Sequence, residues 1–163
     1  MYSKIILTLD GSEVSQQAIP HATSLAKQTG ASVILLQVID SEVQILVQTS
    51  AGSSGMEPVG PIGADIAQET VAAERTDAQA NLAAVKAQMA ADGVTNVTTM
   101  IREGYAGDEI VNTADETKAD MVVIATHGRS GLSRAILGSV ADHVVRNTPL
   151  ASVLLVRAQE RDS

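Results

Sequence analysis

The chain of 163 residues has the length of one ordinary domain, enough to bury a core without metal or disulfide staples. It contains no cysteine, which excludes disulfides, thiolate catalysis and cysteine-ligated metal centres, and its formal net charge of -8 argues against a general nucleic-acid or anionic-membrane binder, since both need a basic surface. With 45% hydrophobic residues but only Tyr2 and Tyr105 as aromatics, the core must be built from Ile, Leu, Val, Ala and Met, which suits strands covered by Ala-rich helices.

The N-terminal "MYSKIILTLDGSE" has a short apolar run broken by Asp10, too brief for the hydrophobic region of a secretory signal. No uninterrupted apolar stretch approaches the roughly 18 residues of a membrane span, so the expectation is a soluble, cytoplasmic protein. Lys4 to Leu9 reads as a first strand. Ser12 can cap a helix that places Ala18, Ala22, Leu25 and Ala26 on one face and ends at Gly30, with Pro20 kinking it or shortening its first half. Ser32 to Ile39 is a second apolar, β-branched run. Residues 41–63, rich in Gly, Ser and Pro, interrupt the rhythm and read as a long flexible loop, of the kind that forms a lid, a binding loop or an insertion.

From Ile66 to Asp92 the spacing of Val71, Ala78, Leu82, Val85 and Met89 is helical, and Gly93 stops it. Val97 to Ile101 is a weaker strand candidate, followed by a helix over "AGDEIVNTADETK", residues 106–118. Met121 to Thr126 is a strong buried strand, Gly138 to Asn147 a helix closed by Pro149, and Ser152 to Val156 a fifth strand. Near-continuous apolar strands alternating with helices predict a single α/β domain, residues 1–158, with a short tail at 159–163. Its core would be an open parallel five-stranded sheet with helices on both faces, Rossmann-like in architecture.

In such a sheet, ligands bind beyond the carboxyl ends of the strands, where the strand order reverses. That rule nominates Thr8 to Ser12, Val38 to Asp40, and the stretch "ATHGRSGLSRAILGSV" from Ala125 to Val140. In the last, Gly128 allows a tight turn, and Gly138 with Ser139 opens a helix, where a capping box of Ser139 and Asp142 would leave the amides of Val140 and Ala141 free for an anion. Arg129, Ser130, Ser133 and Arg134 could add donors. The same features also fit a plain turn and helix cap, as Asp10-Gly11-Ser12 does, and His127 and Asp40 have ordinary structural readings beside functional ones. Walker A, G-x-G-x-x-G, H-E-x-x-H and G-x-S-x-G patterns are all absent, and His21, His127 and His143 are too scattered to suggest a metal cluster.

Read together, these blocks resemble the universal stress proteins. The ATP-binding branch of that family carries G-x2-G-x9-G-[ST], and here Ala125, Gly128, Gly138 and Ser139 stand at its fixed positions, with alanine in place of the first glycine. "ILTLDGSEVSQQAI", "ILLQVID" and "REGYAGDEIV" follow in the family's order, so the resemblance spans nearly the whole chain. It implies an adenine nucleotide alpha hydrolase-like fold with adenine against Val38 and the loop of Thr8, Leu9 and Asp10. The triphosphate would run over Ala125, Thr126, His127, Gly128, Arg129, Ser130 and Gly131 to Gly138, Ser139 and Val140, with Mg2+ or Mn2+ on the phosphates. It also implies a homodimer paired through the last strand, in keeping with the need to cover an apolar sheet edge. The expected function is an ATP-binding stress-response or regulatory module, the alternatives being a slow ATP hydrolase and a dimeric interaction protein with an empty cleft.

Overall fold

The computed structural model describes residues 2–51, 61–127 and 138–158. Five strands, β1 (Lys4–Leu9), β2 (Ser32–Ile39), β3 (Val97–Glu103), β4 (Met121–His127) and β5 (Ser152–Ala158), form one parallel sheet in the order β3-β2-β1-β4-β5. This is the expected architecture, with β3, β4 and β5 each running slightly beyond the apolar run that announced them. The chain leaves β1 for β2 on one side and reaches β4 on the other, so the order reverses between β1 and β4.

Among the described residues six helices cover the sheet: α1 (Glu13–Gln16), α2 (Ile19–Thr29), α3 (Glu42–Ala51), α4 (Pro61–Ala91), α5 (Ala106–Thr117) and α6 (Ser139–Asn147). One face buries Ile5, Leu7, Val33, Leu35 and Val123 against Ala22 and Ala26 of α2 and Leu82, Val85 and Met89 of α4. The other buries Ile6, Ile34, Leu36, Val122 and Ile124 against Ile110 and Ala114 of α5 and Ala141 and Val144 of α6. The central strands are thus apolar on both faces, which is why they read as unbroken runs rather than alternating ones.

Three local expectations change. The first helix is split into α1 and α2, because Pro20 lacks an N–H and its ring would collide with the carbonyl four residues back, at Gln16, where α1 ends. The supposed loop at 41–63 is largely helical in its described part: α3 occupies Glu42–Ala51, and α4 begins at Pro61 rather than Ile66. The signal is a capping box. Ser41 Oγ accepts from the Gln44 amide at 3.3 Å, and Gln44 Oε1 accepts from the Ser41 amide at 2.9 Å, which satisfies two of the orphan donors at the start of α3. Pro61 is the first residue of α4, a position where proline's missing donor costs nothing. Residues 52–60 and the tail 159–163 lie outside the described residues.

The third change concerns α6. Gly138 is the residue before the helix and Ser139 its first member, and no side chain among the described residues caps it. The Asp142 carboxylate instead accepts from Arg146 Nε at 2.8 Å.

Asp120 ties the start of β4 to the start of β1. It accepts from the Ser3 hydroxyl at 2.6 Å, the Ser3 amide at 2.7 Å and the Lys4 amide at 2.8 Å. The Ser3 hydroxyl first, then the two amides, hold its carboxyl below the usual aspartate range. A depressed folded pKa contributes stability above the unfolded pKa, near 4, that is lost as pH falls through the folded value. The melting temperature of an Asp120→Asn variant should therefore lie below that of the parent protein at pH 7 and fall less between pH 5 and pH 3. Parallel melting curves over this range would contradict the assignment.

Candidate functional site

A cavity of about 240 Å³ opens at the carboxyl ends of β1, β2 and β4, at the reversal point of the sheet. Thr8 and Leu9 end β1 at its floor beside Ala125 and Thr126 of β4, and the Thr8 hydroxyl donates to the Val123 carbonyl at 3.3 Å, binding the two strands together there. Leu36 and Val38 of β2, Ile110 of α5 and Ile124 of β4 supply an apolar wall. An apolar wall of this kind suits an aromatic ring system better than a free ion.

Polar groups of the lining come from the backbone of the first turn of α6. The earliest intrahelical bond runs from the Asp142 amide to the Gly138 carbonyl at 2.9 Å, so the amides of Ser139, Val140 and Ala141 have no partner within the helix. All three residues line the cavity, as does Gly138. Unpaired amides at the positive end of a nine-residue helix form a binding surface for anionic oxygen. Gly138 itself has φ -55 and ψ 153, a conformation open to any residue. A Cβ there would meet only Thr126 Oγ1, at 3.9 Å. Neither backbone geometry nor packing within the described residues requires glycine at this position.

Asp10 stands exposed at the mouth. Its Oδ1 accepts from the Ser12 amide at 2.9 Å, and its own amide donates to Ser15 Oγ at 3.3 Å. Crowding by the turn takes water from the carboxyl and by itself would raise its pKa; donation from Ser12 and Ser15 outweighs this and holds the group below the usual aspartate range. Asp10 is the only titratable side chain among the described lining residues, and it is ionised at neutral pH. An ionised carboxylate accepts hydrogen bonds from hydroxyl groups and is a weak general base.

The fold thus brings Thr8, Leu9, Asp10, Val38, Ala125, Thr126, Gly138, Ser139 and Val140 together around one cavity. His127 ends β4 opposite Ala158, while Gly128, Arg129, Ser130 and Gly131 lie outside the described residues. Ala125 packs against the α2–α4 side of the core, and the cavity persists with its methyl group in place. Sequence reasoning missed Val14 and Ser15 of α1 and Ala106 and Ile110 of α5. The carboxyl-end rule, applied to the turn after β3 as well, would have nominated Ala106. Among the described residues no group of three or more His, Asp or Glu converges to hold a metal ion. None of the described helices is long and apolar enough to cross a membrane.

The sequence model of the universal stress protein family matches residues 1–157. The chain belongs to the universal stress protein family. Universal stress protein MJ0531 of Methanocaldococcus jannaschii is 34% identical over 162 residues, covering 99% of this chain and 86% of that relative. The solved structure of universal stress protein UspA from Lactobacillus plantarum superposes with a TM-score of 0.76 at 23% identity, covering 96% of this chain and 98% of that one. A universal stress protein solved in complex with cAMP superposes with a TM-score of 0.64 at 25% identity, covering 96% and 97%. The likeness in fold extends over nearly the whole of this chain.

Proposed function

We propose that this universal stress protein binds an adenine nucleotide, ATP in the first instance, and acts as a nucleotide-dependent regulatory module. The observation that carries the reading is Gly138: a glycine that neither backbone nor packing among the described residues demands, adjoining three amides with no partner within the helix, leaves room for a ligand. In this reading the adenine lies against Val38 and the apolar wall, Asp10 accepts from the ribose hydroxyls, and the phosphates meet the amides of Ser139, Val140 and Ala141. The residues fit such a ligand, since both apolar side chains and the amides of the first turn of α6 line the same cavity. The related structure holding cAMP supports an adenine nucleotide as the ligand class.

A divalent ion, Mg2+ or Mn2+, would be held chiefly by the phosphates and would neutralise their charge. The absence of a second titratable group among the described lining residues, and the depressed pKa of Asp10, favour binding over hydrolysis. We also assign a homodimer, paired through β5, the sheet edge beside the 85%-exposed Leu150.

Two measurements test the nucleotide reading. Protein purified natively and then denatured should release an adenine nucleotide identifiable by chromatography, and nucleotide-free protein should bind ATP with Mg2+ calorimetrically. No nucleotide released and no heat on titration would reject it.

A further inference from the structure

Asp10 is the first residue beyond β1, and the turn that follows it is closed by hydrogen bonds to the start of α1. Gly11 takes a φ of 80, a left-handed conformation that sends the chain back on itself. The Ser12 amide then donates to Asp10 Oδ1 at 2.9 Å, and Ser12 Oγ caps α1 by accepting from the Ser15 amide at 3.1 Å. Ser15 Oγ completes the circuit: it accepts from the Asp10 amide at 3.3 Å and donates to the Ser12 carbonyl at 2.9 Å. Both ends of Asp10, amide and carboxylate, are thus held from one turn.

Ser15 is 6% exposed, and with Val14 it lines the cavity. Burying a hydroxyl costs free energy unless it is bonded, and serine is a weaker helix former than alanine. Since Ser12 already caps α1, the helix needs no second hydroxyl for that purpose. What the Ser15 hydroxyl adds is a partner for the Asp10 amide, one residue past the last β1 position paired with β2. A carboxylate offers roughly four acceptor sites, so the bonds within the turn leave Asp10 free to accept from a ligand at the mouth.

We infer that Ser15 is a positioning residue for Asp10: its buried hydroxyl fixes the backbone of the turn, so that the carboxylate is held ready for the ribose hydroxyls of a bound nucleotide. The inference rests on the nucleotide reading above, and it deepens that reading by naming what selects a ribonucleotide. An acceptor held in place before the ligand arrives loses little freedom on binding, whereas a mobile one gives back part of the bond in ordering. A site arranged to bond hydroxyl groups also disfavours an analogue that lacks them. Removing the Ser15 hydroxyl leaves the Asp10 charge where it is but loosens its backbone, and the cost falls on the ribose contact.

The test uses ATP and 2′,3′-dideoxy-ATP, each titrated calorimetrically with Mg2+ into the parent protein, Ser15→Ala, Ser15→Thr and Asp10→Ala. The two nucleotides share base and triphosphate, so the ratio of their dissociation constants isolates the ribose hydroxyls. Any general loss of stability or affinity cancels in that ratio. The parent protein should favour ATP by about five- to tenfold, the scale of one or two hydrogen bonds, and Asp10→Ala should abolish the preference. In Ser15→Ala the preference should shrink by about threefold, and in Ser15→Thr, which keeps a hydroxyl, it should persist. Adding Ser15→Ala to Asp10→Ala should change the ratio no further, because Ser15 acts through Asp10.

A preference undiminished in Ser15→Ala would overturn the inference, as would one lost equally in Ser15→Thr or a parent protein indifferent to the ribose hydroxyls. Binding of neither nucleotide by the parent protein would instead reject the nucleotide reading, and the inference with it. The turn itself is judged without ligand by hydrogen exchange: the Asp10 amide should exchange at least about threefold faster in Ser15→Ala than in the parent protein or Ser15→Thr. Unchanged protection of that amide would refute the positioning role.

Discussion

A Gly138→Val variant should lose at least about a hundredfold in affinity for ATP with Mg2+, roughly 2.7 kcal/mol, while remaining folded. The two halves of this expectation have separate causes. The backbone at 138, with φ -55 and ψ 153, accepts a β-branched residue, and among the described residues its Cβ would touch only Thr126 Oγ1 at 3.9 Å. Gly138 precedes the helix as its cap residue, and an aliphatic side chain is a poorer cap, which limits the stability loss to about 1 kcal/mol. The added methyl groups would obstruct the amides of Ser139, Val140 and Ala141, where the phosphates would lie. Calorimetry and thermal denaturation on the same sample separate the outcomes. Unchanged affinity would remove the phosphate half of the proposed site, whereas a collapse in melting temperature would show that Gly138 serves the fold.

Leu7→Ala should cost about 3 to 5 kcal/mol, a large share of the roughly 5 to 15 kcal/mol typical of a whole domain. Leu7 is 0% exposed at the centre of β1, in register with Leu35 of β2 and Val123 of β4, which are also fully buried. It belongs to the cluster that joins the sheet to α2 and α4 through Ala22, Leu82 and Met89. Backbone on three strands and two helices surrounds the site, so the cavity left by truncation has little room to collapse. Urea denaturation should show a lower midpoint with an unchanged slope. By contrast Leu150→Ser, at an 85%-exposed position, should change monomer stability by less than about 0.5 kcal/mol. If the two substitutions proved equally mild, the assignment of Leu7 to the structural centre would be wrong.

The strands are legible because a two-sided parallel sheet demands apolar residues on both faces of its central members. Ile5, Ile6 and Leu7, or Val122, Val123 and Ile124, leave no alternation that would suggest one wet face. Residues 41–63 read as a loop only while Gly and Ser composition is weighed above a local rule. Ser41 and Gln44 stand at capping-box spacing before an apolar stretch, and Pro61 follows a glycine at the first position of a helix. Ser139 reads as a cap on the same kind of signal, yet Gly138 holds that place. A serine just past the cap position cannot be told from a cap by sequence alone, and the Asp142 carboxylate that would complete the box has a better partner in Arg146.

Hydrophobic periodicity and the helix-breaking residues settle local questions, since they depend on neighbours a few positions apart. They are sufficient for five strands, the α/β alternation and the set of carboxyl-end loops that hold Asp10, Val38 and Gly138. The order β3-β2-β1-β4-β5 is a different kind of fact, as it requires β1 to pair with Met121 to Val123, far along the chain. That pairing alone makes Thr8 a neighbour of Thr126 and turns two turns into one cleft. The entry of Ala106 and Ile110 into its wall likewise follows from how helices pack on a completed sheet. Such contacts depend on packing between distant segments, whose geometry exists only once the chain has closed on itself.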